Sequence, residues 1–101
     1  MKLAKTERGS LPAKENFSFT GKKVQGAEIG MFGSARYVIS PRRFKTVCDD
    51  TLAVHILQGN GHFKWARGEM PFSAGESFLA ENIGEFEING NSEFLLLRPE
   101  N

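Results

Sequence analysis

From Phe17 onward the chain runs in short apolar or alternating stretches, separated by Gly, Asn, Asp and Pro at intervals of roughly 8 to 12 residues, the spacing of a β-sandwich or barrel. No window of helical length carries a 3.6-residue apolar stripe. The second half is the plainest. Leu52 to Gln58 reads as a strand, Gly59-Asn60-Gly61 as a tight turn that needs positive φ, and His62 to Ala66 as the returning strand of a hairpin. Arg67-Gly68-Glu69 turns the chain again, Met70 to Phe72 is a short strand, and Ser73-Ala74-Gly75-Glu76 leads into a strand over Ser77 to Ala80. After Asn82-Ile83-Gly84, the run Glu85-Phe86-Glu87-Ile88 alternates, with Phe and Ile on one face and Glu on the other. Asn89-Gly90-Asn91 precedes the last strand, Glu93 to Arg98, which Pro99 stops. Upstream, Ala27 to Met31, Arg36 to Ile39 and Arg43 to Cys48 read as strands. About seven to nine short strands avoid exposed edges by closing into a barrel or a two-sheet jelly roll.

Residues 1 to 16 are polar and broken by Gly9 and Pro12, which predicts a flexible arm, or at most an edge strand, ahead of a single domain over residues 17 to 101. With 101 residues, 40% apolar and 25% charged, the chain offers material for one core. Such a chain buries roughly two-thirds of its unfolded surface, so it needs no disulfide or metal staple. Cys48 is the only cysteine and cannot bridge internally, and the basic start MKLAKTERGS has no apolar run of a signal peptide; together they predict a reducing, cytoplasmic setting. The longest clear apolar run, Phe94 to Leu97, is far short of a membrane-spanning helix. A formal net charge of +1 provides no bulk field for nucleic acid, although the basic residues crowd the first half and Glu dominates residues 69 to 93.

Leu57-Gln58-Gly59-Asn60-Gly61 followed by Phe72-Ser73-Ala74-Gly75-Glu76-Ser77-Phe78-Leu79-Ala80 resembles the core of a cupin. More narrowly, Ala74 to Leu79 with Gly84 to Gly90 and Glu93 to Leu96 resembles the C-terminal jelly roll of type I mannose-6-phosphate isomerases, a likeness that covers roughly residues 35 to 98. The resemblance implies an all-β fold: a cupin-type jelly-roll barrel, or double-stranded β-helix. It also implies a location for the metal site of metal-binding cupins, where two His and a Glu from one strand region meet a later His. Here the Glu position falls on Leu52, the paired His positions fall within Phe44 to Cys48, and the later His falls near Gly84 and Glu85, so all four ligands are missing. No metal and no cofactor are expected. The isomerase zinc site belongs to another part of those larger enzymes. A second likeness, Phe19-Thr20-Gly21-Lys22-Lys23-Val24, is to the opening of the small cupins that act as pyrimidine/purine nucleoside phosphorylases, with one lysine more than their pattern.

The chain's two histidines, His55 and His62, would be neighbours if they lay on paired strands around the Gly59 turn, with Cys48 or Glu85 in reach to complete a site. Otherwise His55 packs on a barrel face or subunit interface and His62 is solvated. Phosphorolysis needs cations for phosphate, and Arg36, Arg42, Arg43, Lys45, Lys64 and Arg98 supply them. Alternation along Arg43-Phe44-Lys45-Thr46 puts Arg43 and Lys45 on one face. Phe63 and Trp65 alternate with His62 and Lys64, so that strand has an aromatic face, either core or a stacking platform for a sugar or base. There is no Gly-x-Ser-x-Gly elbow, and Cys48 has no base beside it in sequence. The ligand-binding candidates are therefore Arg43, Lys45, His55, His62, Lys64 and Trp65, with catalytic residues left unassigned. They accommodate three readings: a metal-free cupin binding a small polar or anionic molecule, such as a carbohydrate or its phosphate, in the barrel mouth; a small nucleoside phosphorylase; and a structural homodimer. A homodimer fits all three, and neither nucleic acid nor membrane is an expected partner.

Overall fold

A computed structural model describes residues 2–98. Its strands are β1 (Lys2–Thr6), β2 (Ser18–Val24), β3 (Ala27–Phe32), β4 (Ala35–Ser40), β5 (Arg43–Cys48), β6 (Thr51–Trp65), β7 (Gly68–Ser73), β8 (Ser77–Glu81), β9 (Gly84–Asn89) and β10 (Ser92–Leu97), with one turn of 3-10 helix at Lys14–Asn16. Every pairing between them is antiparallel. A larger sheet runs β1, β8, β6, β10, β4, β3, β2. A smaller one runs β7, β6, β9, β5. No helix among the described residues is long and apolar enough to cross a membrane. Pro99, read as the stop of the last strand, lies outside the described residues.

Strand β6 belongs to both sheets and joins them into a barrel. Thr51 to Gln58 pair with β8 and β10, and Asn60 to Trp65 pair with β7 and β9. The hairpin expected at Gly59-Asn60-Gly61 is therefore absent. Gly59 does take a positive φ of 85°, but the chain bends from one sheet into the other without reversing. The reason is crowding by the β9–β10 connection: a Cβ on Gly59 would overlap the Asn91 carbonyl oxygen, and one on Gly61 that of Asn89. The reversal comes later, at Ala66-Arg67, between the paired residues Trp65 and Gly68.

One further element was not expected, and one alternative of the sequence reading is decided. Ser18–Val24 is a strand, the outer one beside β3, with its register broken between Phe19 and Lys23. Within the segment expected to be a flexible arm or edge strand, Lys2–Thr6 takes the second form, pairing with β8 from Lys2↔Glu81 to Thr6↔Ser77 and burying Leu3.

The barrel interior is packed with phenylalanine. Phe44, Phe63, Phe72, Phe78, Phe86 and Phe94 are all buried there among aliphatic side chains. The Phe63 ring lies 4.8 Å from those of both Phe72 and Phe78, and Phe44 meets Phe94 edge-on at 5.9 Å. A second apolar cluster, Phe17, Ala35, Tyr37 and Leu95 with Leu11, Phe19, Ile39, Leu57 and Leu97 against it, covers the outer face of the larger sheet. The run Phe94 to Leu97 is uninterrupted because its strand is covered on both faces.

Candidate anion-binding site

The smaller sheet buries one face and presents the other. Phe44, Phe63, Phe86 and Ile88 enter the core, so by alternation their neighbours point outward. Register then aligns the outward residues in rows across three strands: Arg43 opposite Asn89 opposite His62, and Lys45 opposite Glu87 opposite Lys64. Glu87 is the centre of the second row. Its carboxylate lies 4.0 Å from the Lys45 ammonium and accepts a 3.2 Å hydrogen bond from the Asn89 side-chain amide.

At one end of this face, Gln25, Gly26, Pro41, Arg42, Arg43, Lys45 and Asn89 line an open groove of about 800 Å³. Gln25 fixes its wall. With φ at 56°, Gln25 turns the β2–β3 hairpin, and its amide pairs with β5 as a strand would. The side-chain NH2 donates to the Lys45 carbonyl at 2.9 Å, and the Lys45 N–H donates to the side-chain oxygen at 2.8 Å. Arg42 and Arg43 form no ion pair with any described residue, so two guanidinium groups open onto the groove unneutralised. An anion entering there meets cations and amide donors without displacing a carboxylate from either arginine.

His55 lies elsewhere, on the outer face of the larger sheet. It is buried, with Nδ1 2.7 Å from Ser77 Oγ. Arg8, from the N-terminal segment, closes over that pair: its Nε donates to Ser77 Oγ at 3.1 Å, and Nη2 donates to the carbonyls of Ile56 and Glu76. Burial, and secondarily the charge of Arg8, hold the His55 pKa below its ordinary value.

Two solved structures share this architecture. The mannose 6-phosphate isomerase from Bacillus subtilis superposes with a TM-score of 0.65 at 17% identity, over 86% of this chain and 29% of the isomerase. The Drosophila melanogaster CENP-C cupin domain superposes with a TM-score of 0.64 at 14% identity, over 95% of this chain and 85% of that domain. This chain has the cupin fold. It spans less than a third of the isomerase, and at these identities the likeness concerns fold alone. No protein-family model matches the sequence, and no curated protein does either.

Within this cupin fold, the positions corresponding to the metal ligands do not suit a divalent ion. Phe44 and Leu52 are core side chains, and the buried Cys48 donates its S–H toward the carbonyls of Asp50 and Ala80. Among the described residues no three His, Cys, Asp or Glu side chains converge. The expected neighbourhood of His55 and His62 is lost with the hairpin: one is buried under Arg8, and the other is exposed on the opposite sheet. Trp65 is half-buried and packs on the barrel core, next to Phe86 across the strands, so its ring does not join His62 and Lys64. The fold thus gathers Arg43, Lys45, His62 and Lys64 on one face and leaves out His55 and Trp65. The barrel interior is filled by apolar packing and offers no seat for a polar ligand. Gln25, Arg42 and Asn89 complete the groove; the Gln25-Gly26 pair in a hairpin turn was the available signal for the first.

Proposed function

We propose that this cupin is a non-catalytic binding module for a small anionic polar ligand, with carbohydrate phosphates as the class that best fits the groove of Arg42, Arg43, Lys45 and Asn89. The observation that carries this reading is the pair of arginines that open onto the groove without an ion pair to any described residue, set beside a barrel interior filled with phenylalanine. Arginine forks suit phosphate oxygens, which accept paired N–H donors. The Asn89 amide, and His62 in the same row, provide polar groups for hydroxyls. The outward position also leaves a bound sugar partly in water, as a weak, reversible receptor requires.

Titrating the labelled protein with glucose 6-phosphate, with phosphate and with glucose at fixed ionic strength tests this. Saturable amide shifts at Gln25, Arg43, Lys45 and Asn89, tighter for the sugar phosphate than for phosphate, are the expected result, and they should vanish in the double variant Arg43→Ser/Lys45→Ser. A groove silent to all three compounds would overturn the reading. Release of free base from uridine or inosine in the presence of phosphate would replace it with the phosphorylase reading.

A further inference from the structure

At the other end of the barrel, Arg36 lies half-buried near the start of β4. It shares its side of the strand with Val38, a core residue, so its side chain runs along the inner face. There the guanidinium reaches Thr46 Oγ1 at 3.4 Å, and Thr46 lies on the core side of β5 with Phe44 and Cys48. That long bond is the one hydrogen bond the Arg36 side chain makes to a described residue, and none of the described carboxylates lies within ion-pair distance.

A second guanidinium stands beside it. Arg36 is opposite Leu96 on β10, and Arg98 follows two residues later toward the same side, the diagonal relation that brings long side chains into reach. Arg98 pairs with Asp50 at 2.6 Å. The rim therefore holds two guanidinium groups and one carboxylate. Burial, and after it the like charge of Arg98, lower the Arg36 pKa from its ordinary value. The Thr46 hydroxyl is oriented by the same arrangement: its oxygen accepts from Arg36, which leaves its proton to donate elsewhere.

We propose that Arg36, Arg98 and Thr46 form a second binding site, a receptor at the barrel rim for one carboxylate or phosphate group, independent of the groove on the smaller sheet. A single oxyanion there accepts the unspent N–H donors of Arg36 in a fork, bridges to Arg98 and relieves the repulsion between the two cations. The nearest inner-face neighbours along the strands, Leu96 opposite Arg36 and Cys48 two residues from Thr46, belong to the apolar core, so the rest of the ligand is small or hydrocarbon-like.

The side-chain Nε–H resonances of Arg36 and Arg98 report on this site directly. At constant ionic strength set with chloride, the labelled protein is titrated separately with phosphate and with acetate. Saturable shifts of both arginines with either anion uphold the site, and the anion that saturates first identifies the preferred group. Shifts no larger than chloride produces, or a response confined to Arg43, Lys45 and Asn89, overturn it while leaving the groove reading intact. Arg36→Met should weaken the midpoint measured at Arg98 by about tenfold, the cost of losing charge-assisted bonds. An unchanged midpoint overturns the assignment. Thr46→Val, which keeps the strand and removes only the hydroxyl, should also raise the midpoint, and serves where Arg36→Met does not fold.

Discussion

At Gly61 a single methyl group would collide with the Asn89 carbonyl oxygen, and the backbone atoms it strikes belong to a strand connection that cannot swing aside. Gly61→Ala is therefore expected to destabilise the fold by about 3 kcal/mol or more, the range of forced backbone shifts in a packed core. Gly9 meets nothing within 4 Å of an added Cβ, and Gly9→Ala should stay within about 0.5 kcal/mol of the parent. Urea unfolding of the two variants measures both. Gly59 and Gly61 mark where the sequence reading and the structure part. Gly59-Asn60-Gly61 has the composition of a hairpin turn, and the positive φ it suggested at Gly59 is present. What demands the glycines, however, is the approach of Asn89 to Asn91, residues some thirty places away in sequence. A local pattern records that bulk is forbidden. It does not record whether the chain then reverses or goes on, and the supposed histidine pair depended on that distinction.

Among the elements, β5 and β9 were legible because each has one buried and one exposed face, and a period-two pattern is then written into the sequence. The Arg43–Cys48 bounds and the inward Phe86 and Ile88 follow from it. Strand β1 was not legible, since only Leu3 of its five residues is buried and the rest of its attachment is backbone pairing to β8. Near the end of β1, Lys5 also pairs with Glu76, and beyond the strand Arg8 fastens the next stretch over Ser77 and His55. This attachment carries a pH dependence whose sign is fixed by the lowered His55 pKa. As pH falls through about 6.5, the unfolded chain takes up the proton before the folded one, so stability present above that value is lost toward the folded-state pKa. The unfolding midpoint should therefore drop between pH 7 and pH 5, and His55→Gln should flatten part of the drop. Denaturant curves across that range check it, and an equal drop in both proteins would remove His55 as a cause.

Across the whole molecule, the larger sheet separates two apolar layers of unequal importance. The barrel core joins strands of both sheets around Phe63, which contacts three other phenylalanine rings. The outer cluster rests on the opposite face of the larger sheet, under Phe17, whose ring meets Tyr37 and Phe32 edge-on at 5.6 and 5.7 Å. The outer layer covers β4 and β10 and closes no barrel seam, so it can open while the barrel persists, a local unfolding of lower free energy than the global one. Phe63→Ala should cost about 3–5 kcal/mol, as a large cavity in a core without slack does, and should speed amide exchange in every strand. Phe17→Ala should speed exchange in β2 and β3 while leaving Leu52 to Ile56 and Phe94 to Leu96 protected close to their original level. Hydrogen exchange resolved by residue separates the two outcomes. A uniform loss of protection in Phe17→Ala would mean that both layers unfold as one unit, and that the covering of the outer face is as essential to this fold as the barrel itself.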